Sequence, residues 1–119
     1  MALAAGESAA RTVLAAADRH GVPILVPAPV VTETVRGTAR DAHVNRVLKA
    51  VDVIIPVDEA LARTAGALLG ASRSAAGAVD ALVVAAAVAT GVPTIVMTSD
   101  TDDLRLLARD HPNVTIHAL

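Results

Sequence analysis

The chain has 119 residues, enough for one packed core but not for two. Hydrophobic residues are 54% and charged residues 18% of it, which excludes a disordered chain, and with no aromatic residue it cannot bind single strands by stacking bases on aromatic platforms. A net charge of −2 excludes a globally cationic nucleic-acid binder but leaves room for a local arginine patch, and the absence of cysteine excludes disulfides and thiolate metal sites.

Ser8 is placed to cap a helix running to about His20, with Val13, Leu14 and Ala17 on one face and Gly21 as its stop. Pro23 to Val26 reads as a short buried strand. Pro29 suits the first turn of a helix that has Val30, Val31, Thr34 and Val35 inward and Gly37 near its end. Asp41 to Val51 predicts a polar-faced helix and Val53-Ile54-Ile55 a second strand. Asp58 is placed to cap a longer helix whose Leu61, Ala65 and Leu68 are spaced for burial, and Ser72 to Gly77 is a small-residue loop. The apolar helix carrying Asp80, a buried strand Thr94 to Met97, a helix from Asp102 to about Asp110 and a strand Val114 to Ile116 complete the chain. Helices alternating with short, non-alternating apolar strands predict an α/β fold, a single domain over residues 1–119 with parallel strands covered on both faces. The nearly uncharged stretch Ala81 to Ser99 is interrupted by Gly91 and Pro93, so it reads as helix plus strand rather than a membrane span; a soluble, cytoplasmic protein is expected.

Four carboxylates stand out against this background. From Asp80, the positions three, four and seven residues on are Val83, Val84 and Ala87, so Asp80 shares the apolar face of its helix and should point inward. Asp100 and Asp102 follow the strand ending at Met97, where ligands bind in open parallel sheets, and Glu33 lies in the helix after the first strand. Converging carboxylates repel one another unless a cation is present, and an all-oxygen donor set suits Mg²⁺ or Mn²⁺. Such ions activate water and stabilise charge developing on a phosphodiester. Simpler roles exist for each acid. Asp100 with Asp103 resembles a helix N-cap arrangement, Asp80 is compatible with a helix dipole, and Glu33 alone would be a solvated helix residue. Asp102 and Asp103 cannot both point the same way, so one of them is a surface charge. The four histidines show no metal-ligand spacing, and no phosphate-cradling glycine loop, GxSxG elbow or GxGxxG fingerprint occurs.

The order VPAPVVTETVRG (Val26 to Gly37), VDALVVAAA (Val79 to Ala87) and TSDTDDL (Thr98 to Leu104) resembles the PIN domain, specifically VapC-type toxins, from about Ala9 to the C-terminus. The resemblance implies a three-layer α/β/α fold with a short parallel sheet. It also implies a Mg²⁺- or Mn²⁺-dependent endoribonuclease, the toxin of a type II toxin–antitoxin pair, with Glu33, Asp80, Asp100 and Asp102 holding the ion. An RNA substrate, an antitoxin protein and a homodimer are the implied partners. Arg36 and Arg40 are candidates for phosphate contact, against an ordinary role as surface arginines. Asp103 falls where the family often has an apolar residue. The family opens with a central strand carrying its first acid, and no Asp precedes Asp18 here. The first strand and first acid are therefore expected to be missing. That predicts weak metal binding, and either direct pairing of the Pro23–Val26 and Thr94–Met97 strands or a dimer. The alternative is a catalytically impaired PIN-like module that binds an antitoxin without cleaving RNA. A receiver-like phospho-acceptor also clusters acids at strand ends but needs a lysine after a late strand, and the lone lysine is Lys49.

Overall fold

The computed structural model describes residues 3–73 and 75–119. They form two compact units, the first comprising residues 1–56 with Leu119 and the second residues 57–118. Both are α/β, each built on a short parallel ladder.

The first unit opens with α1 (Leu3–His20), longer at its start than the cap at Ser8 suggested. Its end is the one expected. Gly21, at φ 64°, turns the chain while its N–H donates to Asp18 O (3.3 Å) and that of Val22 donates to Ala17 O (2.9 Å). This pairing satisfies carbonyls that the last helical turn leaves open, and it needs the left-handed backbone that glycine adopts without strain. β1 (Leu25–Pro27) pairs in parallel with β2 (Val53–Ile55), in the register Leu25 with Val53 and Pro27 with Ile55. Between them lie α2 (Ala28–Thr34), which carries Pro29 in its first turn, a 3₁₀ turn (Ala39–Asp41), and α3 (Ala42–Ala50). α1 packs on α3 and α2 on β1.

The second unit begins with Asp58, whose carboxylate accepts the Leu61 N–H (2.8 Å) and caps α4 (Glu59–Ser72). Leu61, Ala65 and Leu68 are buried, as their spacing predicts. After Arg73, at φ 52°, the chain reaches α5 (Ala78–Ala89), then β3 (Thr94–Thr98), α6 (Thr101–Ala108) and β4 (Val114–Ala118). β3 and β4 are parallel, Thr94 opposite Val114 and Thr98 opposite Ala118, with α6 as the crossover that parallel strands require. α5 packs on both strands and α6 on β4, and α4 packs against both helices. The alanines of α5 let these elements approach closely: Ala81, Val84 and Ala85 have no exposed surface.

One expectation needs correction. Thr94 to Met97 is not a strand buried throughout: Val96 is buried but Ile95 is 65% exposed, and in β4 Val114 and Ile116 are buried while Thr115 is exposed. Successive side chains on a strand point to opposite faces, so this ladder buries one of them. No helix among the described residues is long and apolar enough to cross a membrane.

Candidate metal centre

The second unit brings three acids together where β3 runs into α6. Asp80, Asp100 and Asp103 each offer a carboxylate oxygen, and these oxygens lie within 4.8 Å of one another. Each is placed by a local cause. Asp80 is the third residue of α5, on the face that also carries the buried Val84 and Ala87, and it is half-buried. Asp100 stands at the N-cap of α6, pinned by its own N–H donating to Thr98 Oγ1 (3.1 Å). Its carboxylate makes no capping hydrogen bond, so the simple N-cap role does not account for it. Asp103 lies three residues on, and in a helix that separation brings side chains to neighbouring positions on one face.

Helical geometry thus selects Asp103 rather than Asp102. Two residues beyond Asp100, Asp102 points away and is exposed, outside the group, while Asp103 is half-buried within it. The signal was present in the sequence as the three-residue spacing of Asp100 and Asp103, which reads equally well as helix capping. Glu33, in the last turn of α2 in the first unit, is exposed.

The electrostatics suit a divalent cation. Asp80 lies in the first turn of α5, and Asp100 and Asp103 lie at the start of α6. Two helix N-termini contribute about half a positive charge each. Against three carboxylates this leaves roughly two negative charges, which one divalent ion balances. In an octahedral Mg²⁺ shell with bonds of about 2.0–2.1 Å, opposite ligands stand about 4.2 Å apart, so oxygens within 4.8 Å need only small side-chain rotations to share an ion. With oxygen donors alone, the set fits a hard cation.

The first unit holds a different acid, Asp41, which by sequence is only the start of a polar-faced helix. Asp41 is buried, and its carboxylate accepts the N–H groups of Arg36 (3.0 and 3.1 Å), Gly37 (2.7 Å) and Thr38 (3.2 Å). The Thr38 hydroxyl accepts from the Arg40 N–H (3.3 Å), making a capping box around the 3₁₀ turn. Gly37, at φ 76°, lets successive N–H groups converge into an anion nest. The Arg36 N–H bond is the main cause that holds the Asp41 carboxyl below its ordinary value of 3.8, aided by Gly37 and Thr38 and opposed by burial. Its anion partner is the backbone, so its role is structural. The Arg36 guanidinium is likewise engaged: it donates to Thr32 O, Val35 O and Glu33 O, each at 3.0 Å, and closes the end of α2.

Comparison with known proteins adds one match. The sequence profile of the PIN domain family matches residues 1–110. No curated protein and no solved structure matches the chain. With nine-tenths of its length covered, its parallel α/β ladders in place and three acids gathered beyond a strand end, the chain belongs to the PIN domain family.

Proposed function

We propose that the protein is a divalent-metal-dependent endoribonuclease and the toxin of a type II toxin–antitoxin pair. The observation that carries the nuclease reading is the convergence of Asp80, Asp100 and Asp103 on one point at the mouth of β3. These three residues would hold Mg²⁺ or Mn²⁺. When bound, the ion supplies positive charge to a phosphodiester and acidifies water. The chain's own contribution is preorganisation. α5 and α6 fix the carbon frames of Asp80 and Asp103, and the Thr98 hydroxyl fixes the backbone of Asp100. Glu33 and Asp102 enter through the family order of acids, with Asp102 as an auxiliary charge. The toxin role, an antitoxin partner, a homodimer and a cytoplasmic location rest on the resemblance of the three motifs to VapC-type chains.

Titration calorimetry with Mn²⁺ and Mg²⁺, paired with cleavage of a labelled structured RNA, tests this reading. The native chain should bind metal and cut RNA, and Asp80→Asn and Asp103→Asn should each lose both. Asp102→Asn should weaken cleavage less than Asp103→Asn. Metal binding without cleavage would favour the module that binds an antitoxin without cutting RNA. Undiminished cleavage by Asp80→Asn would end the proposal. Light scattering behind size exclusion gives the mass that decides between monomer and dimer.

A further inference from the structure

Four of the chain's ten basic residues, Arg36, Arg40, Arg46 and Lys49, fall within residues 36–49, where the sole acid is Asp41. All four are exposed, while Asp41 is buried with its carboxylate turned to backbone N–H groups. The 3₁₀ turn and α3 therefore present a positive surface in a chain whose net charge is negative. With Arg36 closing α2, the cations left to face a partner are Arg40, Arg46 and Lys49. Among the described residues no ion pair engages any of them, in contrast to Arg63, paired with Glu59 at 2.9 Å, and Arg109, beside Asp110 at 3.9 Å. Arg46 is also held along its helix, donating to His43 Nδ1 (2.8 Å) and to Ala42 O (3.5 Å).

The composition of this face points to its partner. The large hydrophobic residues that are exposed include Val22, Leu25, Val53, Ile54 and Ile95, and none falls within residues 36–49. A protein-binding surface concentrates its energy in an apolar, desolvated centre, which this face does not offer. A polyanion needs only spaced cations, because the gain comes from releasing condensed counterions. Residues 40 to 49 span roughly 14 Å of helix rise, a length over which several phosphates of one strand fit. Arginine forks match phosphate oxygens with paired hydrogen bonds.

We propose that the exposed face of the 3₁₀ turn and α3, through Arg40, Arg46 and Lys49, holds the phosphate backbone of single-stranded RNA. The proposal rests on the nuclease reading in one respect, that RNA is the polyanion the protein meets. Recognition by this face is electrostatic and independent of base sequence.

The test is fluorescence anisotropy of a labelled single-stranded oligoribonucleotide with the full chain in EDTA, over a range of KCl concentrations. Arg40→Ala/Arg46→Ala/Lys49→Ala should lower the slope of log affinity against log salt by about 2, at roughly 0.7 per lost phosphate contact, and weaken binding at least about tenfold at low salt. Arg63→Ala/Arg109→Ala should leave the slope unchanged. Far-UV circular dichroism confirms folding of each variant, and Arg40→Lys/Arg46→Lys, which keeps the charge, should retain the slope. An unchanged slope in the folded triple variant overturns the proposal. So does tight binding of poly-glutamate that depends on the same three residues while RNA binding does not, since that result assigns the face to an acidic polypeptide. RNA binding that obeys these expectations in a chain that never cleaves RNA with metal would leave this surface standing and remove the nuclease reading.

Discussion

Residues 57–118 contain all the buried apolar side chains among the described residues, from Leu61 to Ile116, whereas in residues 1–56 the buried side chain among the described residues is that of Asp41. The charges divide in the same way. The first unit has six basic and five acidic residues, the second four basic and seven acidic. One unit is held by close packing of Ala, Val, Leu and Ile and carries a concentrated negative site. The other is held by caps, a nest and a short ladder, and carries a cationic face. A rigid apolar scaffold suits a cluster of acids that must keep their positions against mutual repulsion. A surface that only tracks a flexible polyanion needs no such scaffold.

This contrast predicts where substitutions will act. The largest effect belongs to the packed unit. Leu104, 2% exposed, should cost about 3 kcal/mol when truncated to Ala, read as a lowered midpoint in far-UV circular dichroism melts. Equal loss on truncating the exposed Val53 of the first unit would break the comparison. The Asp41 nest should dominate the first unit. Asp41→Asn should speed amide exchange at Arg36, Gly37 and Thr38 while leaving the slow core of α5 unchanged.

The pH dependence of that nest follows from linkage. The Asp41 carboxyl is held below 3.8 in the folded chain, so the stability it contributes is present above that value and lost as pH falls through the lower folded value. The amide resonances of Arg36, Gly37 and Thr38 should therefore titrate together with a midpoint below 3.8. A midpoint above it would mean that the nest does not hold the carboxylate. A smaller effect is expected at Asp58, where replacement by Ala removes the cap on α4 and costs about 1 kcal/mol in the same melts. The smallest belongs to Arg63, whose ion pair with Glu59 has both side chains about four-fifths exposed. Arg63→Ala should shift stability by less than about 0.5 kcal/mol.

Much of the organisation was legible along the chain. Apolar spacing located the buried face of α4, Gly21 the end of α1, and the short β-branched runs the strands, because these depend on neighbours within a few residues. The half-exposed character of β3 was not legible, since the short run containing Ile95 and Val96 is apolar throughout and only packing decides which face is covered. The acids divided similarly. Asp80 was marked by its place on an apolar helical face. Of the adjacent pair, the family order pointed to Asp102 whereas Asp103 lies in the cluster, because one helical step of rotation separates a clustered acid from a solvated one.

By itself, the sequence determined the α/β alternation, an aromatic-free aliphatic core and the PIN order of motifs, and it marked four positions, Glu33, Asp80, Asp100 and Asp102, at which acids were expected to matter. Those features are written in composition and local periodicity, which act over one or two turns. The tertiary structure decided that Asp103 joins Asp80 and Asp100, that Asp41 turns inward to the backbone, and that Arg40, Arg46 and Lys49 have no ion-pair partner among the described residues. Convergence, burial and the pairing of charges depend on residues distant in the chain, and only folding brings those into contact.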